Sequence, residues 1–267
     1  MNTIDKLNQR ETDMIDLTNK TALITGASRG IGAAIAKELS ACGATVILAA
    51  RTETAIQSNA HEINTAGGKA YAISCDVSQY SELQAASSFC LEQSGSLDIL
   101  INNAGVIEPI SRLADSDPDL WSCAVDINFK GVYFGMRAAI PIMEKQGSGT
   151  IINLSSGAAN GALEGWSHYC STKSAAQKLT ECAHKEYFDR GIRVIGLSPG
   201  TVATDMMSTI KESGVNPVSQ LDWSVHIPAE WPAKAVAYLC SEGGDDFVGS
   251  DFSLKTELGR QKVGLPW

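Results

Sequence analysis

A short apolar run over residues 21–25 leads directly into Thr25-Gly-Ala-Ser-Arg-Gly-Ile-Gly32, and an amphipathic stretch follows over residues 31–42. Apolar run, glycine turn and amphipathic stretch read as strand, tight turn and helix. The pattern recurs along the chain. Further apolar runs lie at residues 44–50, 70–75, 97–101, 149–154, 192–197 and 247–254. Helices are predicted over residues 80–93, 118–145, 167–189 and 228–240, with Asp117 placed to cap the helix that starts at 118. Strands alternating with helices at this spacing build a parallel sheet covered on both faces. The expected fold class is α/β, a single doubly wound domain over residues 20–267. Residues 1–19 read as a short solvated N-terminal arm. Residues 202–227 lack a clear period yet hold Met206, Met207 and Trp223, which predicts a lid over a site.

Composition narrows the function classes. The net charge of -9 argues against a nucleic-acid binder, which would carry a basic footprint. No window reaches ~18 consecutive apolar residues and the N-terminal segment has no apolar core of signal-peptide length, so no membrane span is expected and the cytoplasm is the default location. The seven cysteines are scattered, with no C-x-x-C pair. That pattern points to free, buried thiols in a reducing compartment and to neither a disulfide framework nor a metal site.

The glycine segment carries chemistry as well as a turn. Gly26 permits the tight turn, Gly30 lets backbone approach a pyrophosphate, and Gly32 permits close packing of helix on strand. The helix start then offers unpaired N–H groups to an anion. The context of strand before and helix after makes this a dinucleotide site in a Rossmann fold. The spacing is G-x-x-x-G-x-G. The second strand ends Leu48-Ala-Ala-Arg51, with no carboxylate at Ala50 for a ribose hydroxyl. Arg29 and Arg51 are expected to converge on a phosphate, which favours NADP(H) over NAD(H). Glu53 weighs slightly against that choice.

A second constellation is Tyr169-Cys-Ser-Thr-Lys173. A phenol and an ammonium four positions apart share one helix face. The cation is expected to draw the tyrosine pKa down toward neutrality. His168, on another side of the helix, reads as a pocket or surface residue. Cys170 likewise points away.

Together these residues resemble the short-chain dehydrogenase/reductase family, in its compact branch of about 250 residues, from Asn19 to about Leu254. The glycine loop from Thr25 to Gly32 matches, including Ser28 and Ile31. Asp76 and Val77 look like the pair that meets the adenine. Asn102-Asn-Ala-Gly105, with Asn103, matches the motif lining the adenosine. Ser198-Pro-Gly200 (with Pro199), Val202 and Thr204 resemble the segment that holds the nicotinamide amide. Asn128 in Asp126-Ile-Asn-Phe matches the helix asparagine of the catalytic tetrad. Ser156 precedes Tyr169 by thirteen residues, as in the family. The C-terminal strand, Phe247-Val-Gly-Ser-Asp-Phe-Ser-Leu254, departs from the family pattern, and the chain runs on to Trp267.

The resemblance implies reduction of a ketone, aldehyde or diketone by hydride from NADPH. Tyr169 would act as general acid/base and Ser156 would orient the carbonyl oxygen. Lys173 would tune the phenol and bind the nicotinamide ribose, and Asn128 would hold a relay water. Ser155 is expected to point the other way at the strand end. The substrate pocket is expected from residues 106–113, 158–167 and 202–227, with Leu163, Trp166, Met206, Met207 and Trp223 as lining. Arg112 is the one cation in the first two stretches, which points to a neutral substrate. Alternatives are a 3-oxoacyl-(acyl carrier protein) reductase, an alcohol dehydrogenase working toward oxidation, and a non-catalytic NADP-binding sensor or scaffold. A homodimer or homotetramer is expected, with a seam including Phe129, Tyr133, Ala176, Leu179 and Ala183.

Overall fold

The computed structural model describes residues 15–267. Seven strands form one sheet: β1 (Thr21–Thr25), β2 (Thr45–Ala50), β3 (Lys69–Ser74), β4 (Ile99–Asn102), β5 (Gly149–Leu154), β6 (Ile192–Ser198) and β7 (Asp251–Ser253). Their order is β3-β2-β1-β4-β5-β6-β7, and every neighbouring pair is parallel. The helices are α1 (Gly30–Ala41), α2 (Glu53–Thr65), α3 (Tyr80–Ser94), α4 (Pro118–Val125), α5 (Gly131–Gln146), α6 (Ser167–Tyr187), α7 (Asp205–Ser213), α8 (Glu230–Cys240) and α9 (Glu257–Lys262).

Side chains alternate across the strands, so the sheet has two apolar faces. Ala22, Ile24, Val46 and Leu48 pack with Ile35 and Leu39 of α1 and Val236 of α8. Leu23, Ile47, Leu100 and Ile151 pack with Leu83 of α3 and Met136 and Met143 of α5. The strand order reverses between β1 and β4. In open sheets of this kind, the crevice beyond the strand ends at that reversal is where ligands bind.

Several elements differ from the sequence expectation. Helix α2 was not anticipated. Its buried residues are only Ile56, Ala60 and Ile63, a narrow stripe in an otherwise polar segment. The single helix expected over residues 118–145 begins as foreseen, with the Asp117 carboxylate accepting from the Asp119 and Leu120 N–H groups. It is then interrupted by a π turn over Asp126–Lys130. The last strand is three residues long: Phe247 ends a 3-10 helix over Glu242–Phe247, and residues 248–250 turn before the strand begins at Asp251. Within the expected lid, α7 is a regular helix. The expected seam is not one surface: Ala176 and Ala183 lie inside the second apolar face, whereas Tyr133 is exposed. Of the expected arm, residues 1–14 lie outside the described residues, and Leu17 is buried against the first apolar face.

Among the described residues, all seven cysteines are free, although Cys123 and Cys182 are exposed. No described helix is long and apolar enough to cross a membrane. Burial pushes the thiols of Cys75, Cys90 and Cys240 up to about 12, from an ordinary value of 9.0. The folded chain therefore keeps three protons that the unfolded chain releases, so stability falls as pH rises above 9.0. Lys173, held down to about 8, opposes this with a single proton. Urea midpoints are expected to be lower at about pH 10 than at about pH 8, and an unchanged midpoint would contradict the burial of these thiols.

Candidate active site

The glycine loop is pinned to the end of β4. Asn103 Nδ2 donates to the Thr25 carbonyl at 2.9 Å and to the Gly26 carbonyl at 3.2 Å, and the Asn103 N–H donates to Thr25 Oγ1 at 3.0 Å. There is no room for side chains in this clamp. A Cβ on Gly26, at φ +65, would lie 2.8 Å from Ala104 Cα. One on Gly32 would strike the Gly26 carbonyl and come within 2.5 Å of Asn103 Nδ2. From α2, Asn59 Nδ2 donates to the Ala27 and Ser28 carbonyls at 3.0 and 3.1 Å. Nothing local in the sequence marks this brace, because the helix that carries it buries only Ile56, Ala60 and Ile63.

Helix α1 starts after Arg29 with no side-chain cap, so its first-turn N–H groups remain available to an anion. Across the crevice, Thr204 Cγ2 would lie 3.3 Å from a Cβ on Gly30. An uncapped helix start, a glycine turn with no room for side chains at Gly26 and Gly32, and a sheet reversal fit a dinucleotide pyrophosphate. Arg51 is exposed directly after β2. Arg29 leans across the crevice to Asp205, Nη1 to Oδ2 3.3 Å, with both side chains exposed. A pair of this kind contributes about 0–1 kcal/mol. Asp76 Oδ1 accepts from the N–H and the hydroxyl of Ser78 at 2.9 and 2.8 Å, and Val77 is buried beside Gly131. Pro199 and Gly200 follow β6. Val202 then pairs with Ile227 in a single parallel bridge, so the excursion over residues 202–227 is tied at its two ends.

The second constellation comes together where β5 ends against α6. Lys173 Nζ lies 5.7 Å from the Tyr169 ring centre and donates to the Leu154 carbonyl at 2.6 Å. Ser156 is extended, its Oγ accepts from the Ala158 N–H at 3.2 Å, and it lies near enough to draw the Tyr169 pKa down. Ser156 thus caps a turn and also faces the phenol. Burial outweighs that pull and holds the Tyr169 phenol above its ordinary value. The same burial pushes the Lys173 ammonium down to about 8. The expectation of a lysine-lowered phenol therefore does not hold here, because desolvation disfavours the charged form of both partners.

Asn128 stands on the π turn and is fully buried. Its Oδ1 accepts from the Val106 N–H and its Nδ2 donates to the Val106 carbonyl, both at 2.8 Å. The side chain clamps the loop after β4. Ser155 points away from Tyr169, as expected, and meets Asp251. His168 is neither a surface nor an open pocket residue. It is buried, with Nε2 2.7 Å from the Ile107 carbonyl, and so braces the same loop.

Three segments supply an apolar wall around the phenol. Ile107, Ala158, Trp166, Met207 and Ile210 form one buried cluster with Tyr169, and Leu163 and Met206 pack on its edge. The rings of Trp166 and Tyr169 meet edge to face at 5.5 Å. Trp223 lies outside this cluster and is exposed. Arg112 is neutralised by Glu164, Nε to Oε1 2.7 Å. One cation near the site was missed. Lys255, just after β7, lies over Gly200, and its Nζ would be 3.4 Å from a Cβ on Gly157. Lys255 lies outside the three segments expected to form the pocket, on the chain that leaves the C-terminal strand.

Comparison with known proteins places this geometry in context. The short chain dehydrogenase family matches residues 20–214. A cyclohexanol dehydrogenase of Acinetobacter sp. (strain SE19) is 30% identical over 237 residues, covering 88% of this chain and 92% of that protein. A 3-oxoacyl-[acyl-carrier-protein] reductase of Synechocystis sp. is 35% identical over 198 residues, covering 74% and 80%. The crystal structure of a short-chain type dehydrogenase/reductase from Mycobacterium marinum superimposes with a TM-score of 0.83 at 32% identity, covering 90% of this chain and 96% of that one.

Proposed function

The chain belongs to the short chain dehydrogenase family, oxidoreductases of alcohol and carbonyl groups, and from that premise we propose that it reduces neutral, largely apolar ketones or aldehydes with NADP(H). The observation that carries this reading is the meeting of Tyr169, Lys173 and Ser156 against an apolar wall, with Arg112 beside it already paired to Glu164. The cyclohexanol dehydrogenase relative is named for a neutral ring alcohol, which supports the same class.

The residues divide the work as follows. The start of α1 with Gly26, Ser28, Gly30 and Ile31 holds the pyrophosphate. Arg29 and Arg51 take a ribose phosphate, Asp76 and Val77 the adenine, and Asn103 keeps the loop in place. Pro199, Gly200, Val202 and Thr204 line the place of the nicotinamide. When bound, NADPH supplies the hydride. Ser156 donates a hydrogen bond to the substrate oxygen, and Tyr169 gives its phenolic proton to that oxygen as charge builds there. The ammonium of Lys173 stabilises the phenolate left behind. Asn128 acts by holding the loop at Val106, so that Gly105 fits between its own amide and Lys173.

Lys255 favours a second reading, in which an anionic or thioester substrate enters beside Gly157. A panel of cyclic ketones, aldehydes and an acetoacetyl thioester, read by NADPH and by NADH oxidation, separates the two. Faster turnover of the cyclic ketones with NADPH is expected. Preference for the thioester would establish the second reading, and no turnover of any carbonyl would overturn both.

A further inference from the structure

The sheet carries a row of polar residues behind the site. Register aligns Asn102 with Asn153, Asn153 with Gly196 and Gly196 with Asp251, across β4, β5, β6 and β7. Residues in register share a face, and Asn153 Nδ2 donates to Thr180 Oγ1 of α6, so the row faces the helix that bears Tyr169 and Lys173. Asp251 closes this row. Its carboxylate lies over Gly196, where a Cβ would collide with Oδ1. The Ser155 hydroxyl lies 2.6 Å from Oδ1 and 2.7 Å from Oδ2. Ser155 connects Leu154, whose carbonyl takes the Lys173 ammonium, to Ser156, which faces the phenol. The carboxylate is thus hydrogen-bonded to the residue between Leu154, whose carbonyl holds Lys173, and Ser156, whose side chain meets Tyr169.

We propose that Asp251 is a positioning residue that sets the charge state of the Tyr169–Lys173 pair, through its hydrogen bond to Ser155 and its negative charge behind Lys173. This rests on the oxidoreductase reading above. The charges around Asp251 are few. Lys173 of α6 is the cation whose field reaches it, and each group raises or lowers the other as opposite charges do. His184, also on α6, packs against Gly249, two residues before Asp251. From β5 the carboxylate meets the neutral Ser155 hydroxyl, and from β6 it meets Gly196. Its chain neighbours Ser250 and Phe252 are uncharged, as is Ser253 on the same strand face. Burial lifts the carboxyl to about 6, with the Ser155 hydrogen bond and Lys173 drawing it down. Removing a negative charge lowers the pKa of any acid nearby, so loss of Asp251 makes the pair release its proton at lower pH.

The test compares wild type with Asp251→Asn, which keeps the shape, and with Ser155→Ala. The first readout is NMR titration of isotope-labelled lysine in the full chain, assigned by Lys173→Met, and it needs no substrate. Lys173 is expected to titrate about 0.5–1 unit lower in Asp251→Asn. The second readout is log(kcat/KM) against pH. An ionisation near pH 6 in the wild type is expected to disappear in Asp251→Asn and to move upward in Ser155→Ala, where the carboxyl loses its donor. A Lys173 titration and a pH profile unmoved in Asp251→Asn, whatever its thermal stability, would overturn the proposal and leave Asp251 a structural residue. A shifted lysine in a chain that turns over no carbonyl would overturn the oxidoreductase reading and leave the charge coupling standing.

Discussion

Tyr169→Phe is expected to lower kcat for carbonyl reduction by about 10²–10⁴-fold, the range in which a positioned proton donor acts. The substitution removes one oxygen and keeps the ring that packs edge to face on Trp166, so the apolar wall stays filled. Nucleotide affinity, followed by fluorescence of bound NADPH, is expected to change little, because the glycine loop is held by Asn103 and Asn59. Burial also holds the phenol above its ordinary pKa. A proton donor with a raised pKa stays protonated through neutral pH, so loss of the phenolic proton is expected to lower reduction only on the alkaline side, apart from the ionisation near pH 6 expected of Asp251. Oxidation of the alcohol needs the phenolate and is expected to rise with pH over the same range. A Phe variant that keeps more than about a tenth of wild-type kcat would remove Tyr169 from the role of proton donor.

The parts of this site that the sequence displayed share a physical property: each is local. The glycine loop needs strand, turn and helix within a dozen residues, and the tyrosine–lysine pair needs one helical turn. The three pocket segments were also identifiable, because each follows a strand on the same edge of the sheet, and their buried residues do meet in one cluster. What the sequence hid depends on partners far along the chain. Asp251 reaches Ser155 across 96 positions, and Asn59 reaches the glycine loop from a helix whose apolar stripe is three residues wide. The π turn at Asn128 was hidden for another reason. It sits inside an otherwise continuous helical pattern, and one extra residue in a helical ring leaves little trace in hydrophobic periodicity. The lowering of the Tyr169 pKa expected from Lys173 does not occur because spacing shows the neighbour but not the burial, and burial is the larger effect on both groups.

Arg51→Ala and Arg29→Ala are each expected to raise the KM for NADPH by about 10–100-fold and to leave that for NADH nearly unchanged. A hydrogen bond from a charged donor contributes about 1.5–3 kcal/mol, and each 1.4 kcal/mol is a factor of ten. The two positions are not equivalent before the nucleotide arrives. Arg51 is exposed at the end of β2, whereas Arg29 must leave Asp205 to reach a phosphate. That exposed pair costs at most about 1 kcal/mol to break, well below what a phosphate contact returns. Asp205→Asn is therefore expected to improve NADPH binding modestly, by less than about tenfold, through Arg29 alone. The improvement is expected to vanish in the Asp205→Asn, Arg29→Ala double variant. Ala50→Asp tests the same crevice from the other side. It places a carboxylate where a ribose hydroxyl would be held and is expected to reverse the preference toward NADH. Equal losses for NADPH and NADH in both arginine variants would mean that neither guanidinium reads the extra phosphate, and the cofactor assignment would fall with them.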